Sequence, residues 1–580
     1  KGLLTAMLNK EISKVLNEIS VYLDMNGESF KSRAYEKVSE VIESLGEEIS
    51  AIYERSGVKA LENIPGVGVS ITVTIEDLLK TGKSKDWDIL HKKFPVELNK
   101  LMLVEGLGPK KIKVLYEKLE VKNLADLEKS AQNGLISKLS GFGEKSEQNI
   151  LRGLEFIKTS GNRFSLGEAL PLAREIVRRL KSVNGVERVE VAGSLRRMKE
   201  TIGDIDILVI SSLPKELMDY FVSMPEVLHV LANGDTKSAV KLKNGLQVDV
   251  RVLSKESYGV ALNYFTGSKD HNIALRKIAI DKGLKLNEYG LFDGDKQIAG
   301  KLEEEIYKTL GMQYIEPELR EMTGEIEASQ NCKLPNLIEL KDLKGDLQTQ
   351  TTWTDGKNSI LEMAEAAMKV GLEYIVITDH TKKLAMTNGL DERRILEQIE
   401  EINKLNEKLE KSGKKFRILS GSECDILKDG TLDLPDEILE KLDVVGVSVH
   451  SLFNLSRRAQ TDRVIKAIKN KHADILFHPT GRLINKRPAY DIDMDEIIKV
   501  ARETGTVLEI DAFPDRLDLK DEYIRKCVNA GVRMSIDSDA HSVKNFSVLE
   551  YGVVQARRGW AEKKDIVNAR GVEEMLGMLK

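Results

Sequence analysis

A chain of 580 residues is too long for one compact domain, and roughly two to five are expected. With 41% hydrophobic and 31% charged residues it reads as well folded rather than disordered, and a net charge of −5 gives no bulk argument for a nucleic-acid partner. No run of about 18 apolar residues and no signal-peptide pattern is present, so the expectation is a cytoplasmic protein with no membrane role. Cys332, Cys424 and Cys527 form no CxxC pair and imply neither a disulfide framework nor a thiolate zinc site. The opening KGLLTA, before Met7, reads as leader residues. Ile12, Val15, Leu16, Ile19 and Leu23 then form one apolar stripe at helical spacing, and a helical texture continues to about residue 160. From about 186 it turns β-rich (VERVEVAGS, DIDILVIS, AVKL, LQVDVRVL), and residues 323–340 read as a linker. After that, YIVITDH, DVVGVSVHS, DILFHP, TVLEIDA and VRMSIDSDAH alternate with amphipathic helices, a βα rhythm that predicts a parallel barrel.

Three turns punctuate the helical segment: IPGVGVSI, VEGLGPKKI and LSGFGEKS. In each, two glycines (Gly66 and Gly68, Gly106 and Gly108, Gly141 and Gly143) separate two helices. Glycine lets the backbone turn tightly and approach a ligand, and the next helix offers free N–H groups to an anion. This is the helix-hairpin-helix pattern, which grips DNA phosphates without reading bases. One such turn also serves ordinary helix packing, but three in one segment favour DNA, and Lys110, Lys111 and Lys113 add local positive charge.

VAGSLRRMKETIGDIDILVI carries the sharpest local signal. Asp204 and Asp206 lie two apart in a strand and point to one face, and Asp249 in LQVDVRVL is placed to add a third carboxylate from a neighbouring strand. Three such carboxylates can hold two magnesium ions for in-line attack of a hydroxyl on a nucleotide phosphate. Gly193 and Ser194, at a strand end opening a helix, would hold the triphosphate, with Arg196 and Arg197 offsetting its charge. The bland alternative is a surface strand with solvated acids.

This GS…GDID…D pattern follows the hairpin turns and precedes YFTGSKDHNIALR and LNEYGLFDGD; in that order the set resembles a family X DNA polymerase of the bacterial and archaeal type. The resemblance implies a helical DNA-binding domain (1–85), fingers (86–155), an α+β nucleotidyltransferase palm (156–255) and a thumb (256–322). It implies that Asp204, Asp206 and Asp249 are the metal-binding catalytic residues. Ser194, Arg197 and Gly203 would contact the triphosphate, and Tyr264 and Phe265 the sugar. Gly267 joins the nucleotide set, Asn272 lies near the minor-groove edge of the new pair, and Arg276 near the template. One departure is Ile202, where animal relatives carry serine. Another is Thr74, which stands where repair members carry the lysine that forms a Schiff base with an abasic sugar, so strong lyase activity by that route is not expected. The helical domain is expected to bind a 5′ phosphate at a gap.

Residues 341–580 resemble the polymerase-and-histidinol-phosphatase (PHP) domain, a distorted (β/α)7 barrel fused to such polymerases. The resemblance implies manganese or zinc ligands at strand ends: Asp355, His380, Glu423, His450, His478, Asp539 and His541. Four of the chain's eight histidines occupy these positions. The remaining two ligands should be histidines of the first strand, and GDLQTQTTWTDG has Gln348 and Gln350 there. Neutral amides are weak ligands beside imidazole, so one metal position should be emptied or weakened and 3′–5′ exonuclease activity reduced or lost. Phe477, where glycine usually precedes His-Pro, suggests a changed pocket wall. The reading is a monomeric gap-filling DNA polymerase of base-excision or related repair, acting on gapped or primer-template DNA with deoxynucleoside triphosphates. Rival readings are a template-independent nucleotidyltransferase, a DNA-end-binding scaffold, and a small-molecule phosphoesterase for the barrel.

Overall fold

Helix Asn9–Met25 buries Ile12, Leu16, Ile19 and Leu23 along one stripe and leaves most of its charges in solvent, as the spacing requires. The computed structural model describes residues 7, 9–45, 47–104, 106–160 and 163–580, so the leader read at 1–6 lies outside the described residues. The chain divides into two units, residues 1–161 and 162–580. The described residues of the first form helices joined by turns, with no strand among them. A single apolar core of its described residues runs from Ile12 to Leu154.

The second unit holds a five-stranded sheet of β1 (Val186–Val191), β2 (Asp204–Ser211), β3 (Val227–Asn233), β4 (Lys237–Leu242) and β5 (Gln247–Val252). Its order is β1-β2-β5-β4-β3, with β2 and β5 parallel and the other pairs antiparallel. Strand β2 is covered on both faces. Ile205, Ile207 and Val209 enter the main core, while Leu208 on the opposite face packs with Ala192, Tyr258 and Leu262. Strand β3, VLHVLAN, has no alternating pattern to announce it and leaves Leu228, Val230 and Leu231 about half exposed at the sheet edge. A small three-stranded sheet and helices follow, built around Leu275, Leu291, Ile306 and Tyr307.

Residues 323–340 are not the solvated linker that their composition suggests. They form helix α1 (Glu325–Gln330), with Glu325 and Ser329 fully buried and Ile326 in the same core. Leu337 pairs with Glu562, and the Ile338 N–H donates to the Ala561 carbonyl at 3.1 Å. Glu325 accepts from the N–H groups of Met322 and Thr323, so a polar, glycine-containing stretch is ordered by its own backbone and by contacts remote in sequence.

Seven parallel strands in chain order make the barrel: β6 (Gly345–Thr349), β7 (Tyr374–Ile377), β8 (Arg417–Asp425), β9 (Val444–Ser448), β10 (Ile475–Leu476), β11 (Val507–Asp511) and β12 (Met534–Asp537). Closure of the ring is carried beyond the strand ends, where the Gln350 N–H donates to the Ala540 carbonyl at 2.8 Å. Leu347, Val376, Leu419, Val444, Ile475, Phe477 and Val507 fill one core, and the alternate residues of the same strands pack outward against helices. Among the described residues no helix is long and apolar enough to cross a membrane.

Candidate functional site

The three hairpin turns share one backbone geometry. Gly66, Gly106 and Gly141 each take a left-handed φ, of 84°, 80° and 86°, which favours glycine. Gly68 and Gly108 then cap the helices Val69–Thr81 and Pro109–Leu119 in extended conformation, and Gly143 precedes helix Glu144–Ser160. A side chain at Gly106, Gly108, Gly141 or Gly143 would meet no atom within 4 Å, so these backbones face open space. Lys110 is exposed there, and Lys111 Nζ lies 5.5 Å from the Phe142 ring, joining the second turn to the third.

In the palm sheet, parallel pairing of β2 with β5 puts Asp206 directly opposite Asp249, and Asp204 lies two residues back on the same strand. Asp204 is exposed, and Asp206 and Asp249 are half-buried. Burial, with Asp204 and Asp249 beside it, pushes Asp206 up to about 6, the behaviour of acids gathered without enough positive charge. The local compensation is small: Gln247 donates to Asp249 at 2.8 Å and Lys237 Nζ lies 3.6 Å away. Carboxylates crowded in this way fit divalent cations. The turn at Gly193 closes over them, since a Cβ there would lie 2.6 Å from Asp206 Oδ2.

The other nucleotide-site residues divide. Tyr264 and Phe265 meet edge to face at 5.2 Å, and Arg251 covers the Phe265 ring at 4.7 Å. Asn272 donates to the Tyr264 carbonyl at 2.7 Å, and with Tyr264 and Arg276 it lines one small cavity. Gly267, at φ 73°, opens the cis peptide to Ser268. Gly203 lies under Arg163, and Ser194 in the short turn Gly193–Arg196 is half-buried. The two arginines are not free. Arg196 pairs with Glu303 at 2.6 Å, and Arg197 Nε donates to Glu321 at 2.9 Å, a partner that no motif announced. Ile202 is fully buried in the palm core and takes no part in the turn's polar surface.

At the barrel mouth, two ligand sets converge: Asp355 with His380 and His541, and His380 with Glu423 and His450. Glu423 is the hub. His380 Nδ1, His450 Nε2 and His478 Nε2 lie 3.2, 3.0 and 2.8 Å from its oxygens. Burial alone would lower His450, yet Glu423 and Asp425 outweigh it and lift the imidazole to about 9. Burial raises the Glu423 carboxyl, but His380 and His450 pull it well below the ordinary range. His541 likewise rises to about 10 against burial, through Asp539 and Asp355. Asp539 belongs to neither set but lies 3.7 Å from His541 Nδ1 and 3.7 Å from Arg516, which also pairs with Asp511 at 3.3 Å.

Residues 7–84 match a helix-hairpin-helix domain, 98–155 a SAM-like helix-hairpin-helix tandem and 261–321 the DNA polymerase beta thumb. Over 582 aligned residues the chain is 38% identical to the DNA polymerase/3'-5' exonuclease PolX of Bacillus subtilis (strain 168), covering 99% of this chain and 100% of that one. The chain belongs to the family X DNA polymerases. Its C-terminal region is also 34% identical over 194 residues to a probable phosphatase of Thermoanaerobacter sp. (strain X514), 32% of this chain and 73% of that protein. A probable phosphatase of Acetivibrio thermocellus is 29% identical over 192 residues, with the same shares covered.

Within this family X polymerase the departures are local. Gln350 Nε2 donates to Glu423 at 2.9 Å, while its Oε1 and both amide atoms of Gln348 are buried without a partner. Buried orphan amides are rare and costly. The two intact sets fit metal ions; the glutamine pair does not fit a third centre of the imidazole type. Phe477 does not line the pocket as its position suggests. Its ring is wholly inside the barrel, where a Cβ on Gly446 would fall 1.8 Å from it. In the helical unit, Thr74 Oγ1 donates to Asp86 at 3.0 Å beside Tyr35. The adjoining cavity of about 200 Å³ is lined by Glu28, Lys31, Tyr35, Ser70 and Asp86, and Lys31 is already paired to Glu28 at 2.7 Å. Two carboxylates against one occupied lysine suit a 5′ phosphate poorly.

Proposed function

We propose that this chain is a templated DNA polymerase that adds deoxynucleotides to a primer 3′ hydroxyl at short gaps, in base-excision or related repair. The observation that carries this reading is the register that sets Asp206 opposite Asp249, with Asp204 on the same face below the Gly193 turn. Asp204, Asp206 and Asp249 would hold divalent ions, magnesium by the hardness of an all-oxygen set. Bound there, such ions supply charge neutralisation for the triphosphate and lower the barrier to loss of the hydroxyl proton. The Gly193–Ser194 turn would cradle the phosphates and Arg197 would add a guanidinium contact. Tyr264 and Phe265 would seat the sugar, and Asn272 and Arg276 would lie along the base pair. The hairpin turns would hold the duplex by its phosphates, independent of sequence.

The test is single-nucleotide insertion on a gapped duplex by the chain and by Asp206→Asn. Removing one charged group from the reacting centre should cost about 10²–10³-fold or more in rate, with unchanged duplex affinity. Insertion that ignores the template base would favour the template-independent transferase, and equal rates for both proteins would remove the catalytic reading.

For the barrel, the two intact ligand sets support retained binding of manganese or zinc. The glutamine pair supports a 3′–5′ exonuclease that is weak or lost. The hub at Glu423 favours this over a vigorous small-molecule phosphoesterase, because one of its oxygens is already engaged by the Gln350 amide.

A further inference from the structure

We infer that the C-terminal barrel positions the nucleotide-binding arginine of the palm, through Arg558 acting on Glu321 and on the Arg197 backbone. This rests on the reading of Arg197 as a triphosphate contact.

A guanidinium is planar, so two fixed N–H groups set the direction of the rest. In Arg197 these two are Nε, donating to Glu321 at 2.9 Å, and one terminal nitrogen, donating to the Thr266 carbonyl at 2.5 Å. The other terminal nitrogen makes no hydrogen bond within the described residues, and its orientation follows from the two that do. Glu321 belongs to the end of the thumb, where Lys199 Nζ lies 3.7 Å from its other oxygen, and it is held in turn from the barrel side. Arg558, at the end of barrel helix α2 (Leu549–Arg558), lies 3.3 Å from the Glu321 oxygen that accepts from Arg197. It also donates to the Arg197 carbonyl at 2.8 Å and pairs with Asp521 of the barrel. Its side chain is only 3% exposed. A buried guanidinium is tolerated when its donors are matched, and here the matching acceptors come from palm, thumb and barrel together. Arg558 therefore grips both the main chain that carries Arg197 and the carboxylate that orients it. The neighbouring palm–barrel contacts, Arg174 with Glu550 at 2.8 Å and Arg482 with Glu200 at 2.8 Å, hold the domains together without touching this relay.

The experiment is single-nucleotide insertion on a gapped duplex by the full chain, with KM for the triphosphate and kcat measured separately. Arg558→Ala and Arg558→Lys are compared with Arg197→Ala and with Arg174→Ala, an exposed palm–barrel contact outside the site. Arg558→Ala is expected to raise KM roughly tenfold, the scale of one charge-assisted hydrogen bond, with kcat within about twofold. Arg558→Lys keeps a charge but not the fork, so it should fall between the two, and it decides the matter should Arg558→Ala melt early. Arg174→Ala should match wild type. In Arg197→Ala, adding Arg558→Ala should raise KM no further. A wild-type KM in Arg558→Lys and in folded Arg558→Ala, with KM raised by Arg197→Ala, would overturn the inference alone. A wild-type KM in Arg197→Ala would overturn the phosphate-contact reading beneath it.

Discussion

Gln350 donates its amide to Glu423 at 2.9 Å, so the residue at the position where the resemblance implies a histidine spends its donor on the hub carboxylate of the barrel site. The carbonyl of the same amide is buried and unpartnered, as are both polar atoms of Gln348. A proton donor has thus taken over one lone pair that a metal ion would use.

Restoring imidazoles should therefore restore metal. Gln348→His/Gln350→His is expected to bind about one more manganese or zinc per chain by elemental analysis, and to degrade a 3′-labelled single strand at least ~10-fold faster with manganese. Equal metal content and equal nuclease rates in the two proteins would show that the glutamines had cost nothing.

Gly193 offers a separate probe of the palm. Its φ is 64°, and a Cβ added there would come within 2.6 Å of Asp206 Oδ2, which leaves no place for a methyl group. Gly193→Ala should lose insertion activity by about 10²-fold or more, while global stability falls by only about 1–2 kcal/mol, the left-handed penalty for an L-residue. Activity assayed beside thermal unfolding separates the two.

Thr74 predicts how a lyase could be rebuilt. Imine formation needs a neutral amine, and a lysine at 74 would sit against Asp86, whose charge favours the ammonium. Borohydride trapping on an abasic duplex should give little adduct with wild type or with Thr74→Lys, and more with Thr74→Lys/Asp86→Ala. An efficient adduct with wild type would show that another residue serves.

His271 makes the thumb pH-sensitive. It is fully buried, with Nδ1 2.9 Å from Glu325 and Nε2 3.0 Å from the Tyr307 hydroxyl. Burial lowers its pKa despite the pull of Glu325, so the folded ring is neutral. The unfolded chain takes up a proton near the ordinary value of about 6.5 and the folded one only at lower pH. The stabilisation is therefore present above about pH 6.5 and declines as pH falls below it, by up to about 1.4 kcal/mol per pH unit. His271→Gln should flatten the decline in thermal midpoint between about pH 7 and 5, and an unaltered slope would show that the ring titrates normally.

Phe477→Gly should destabilise the barrel by roughly 3–5 kcal/mol or more, because its ring fills the interior against Gly446. Chemical denaturation measures this, and the metal content of the folded fraction should not change.

By itself, the sequence determined the pieces whose chemistry is local. Three glycine pairs with one turn geometry, two aspartates two apart on a strand, and histidines following four of the seven barrel strands were all legible, because a period of two or a single φ requirement is written in adjacent residues. The family followed from their order. Everything that depends on partners distant in the chain was decided by tertiary structure. The stretch 323–340 looked like a linker because its composition is polar, yet burial of Glu325 under its own backbone N–H groups and of Ile326 in the thumb core makes it a joint. Phe477 looked like a pocket-wall residue because it precedes His478, yet just past the strand end at Leu476 its ring is fully buried in the barrel core with Ile475. Arg197 looked available, and its ties to Glu321 and, through its own carbonyl, to Arg558 span 124 and 361 residues. Local pattern states which groups can act; only packing states which of their hydrogen bonds are already used.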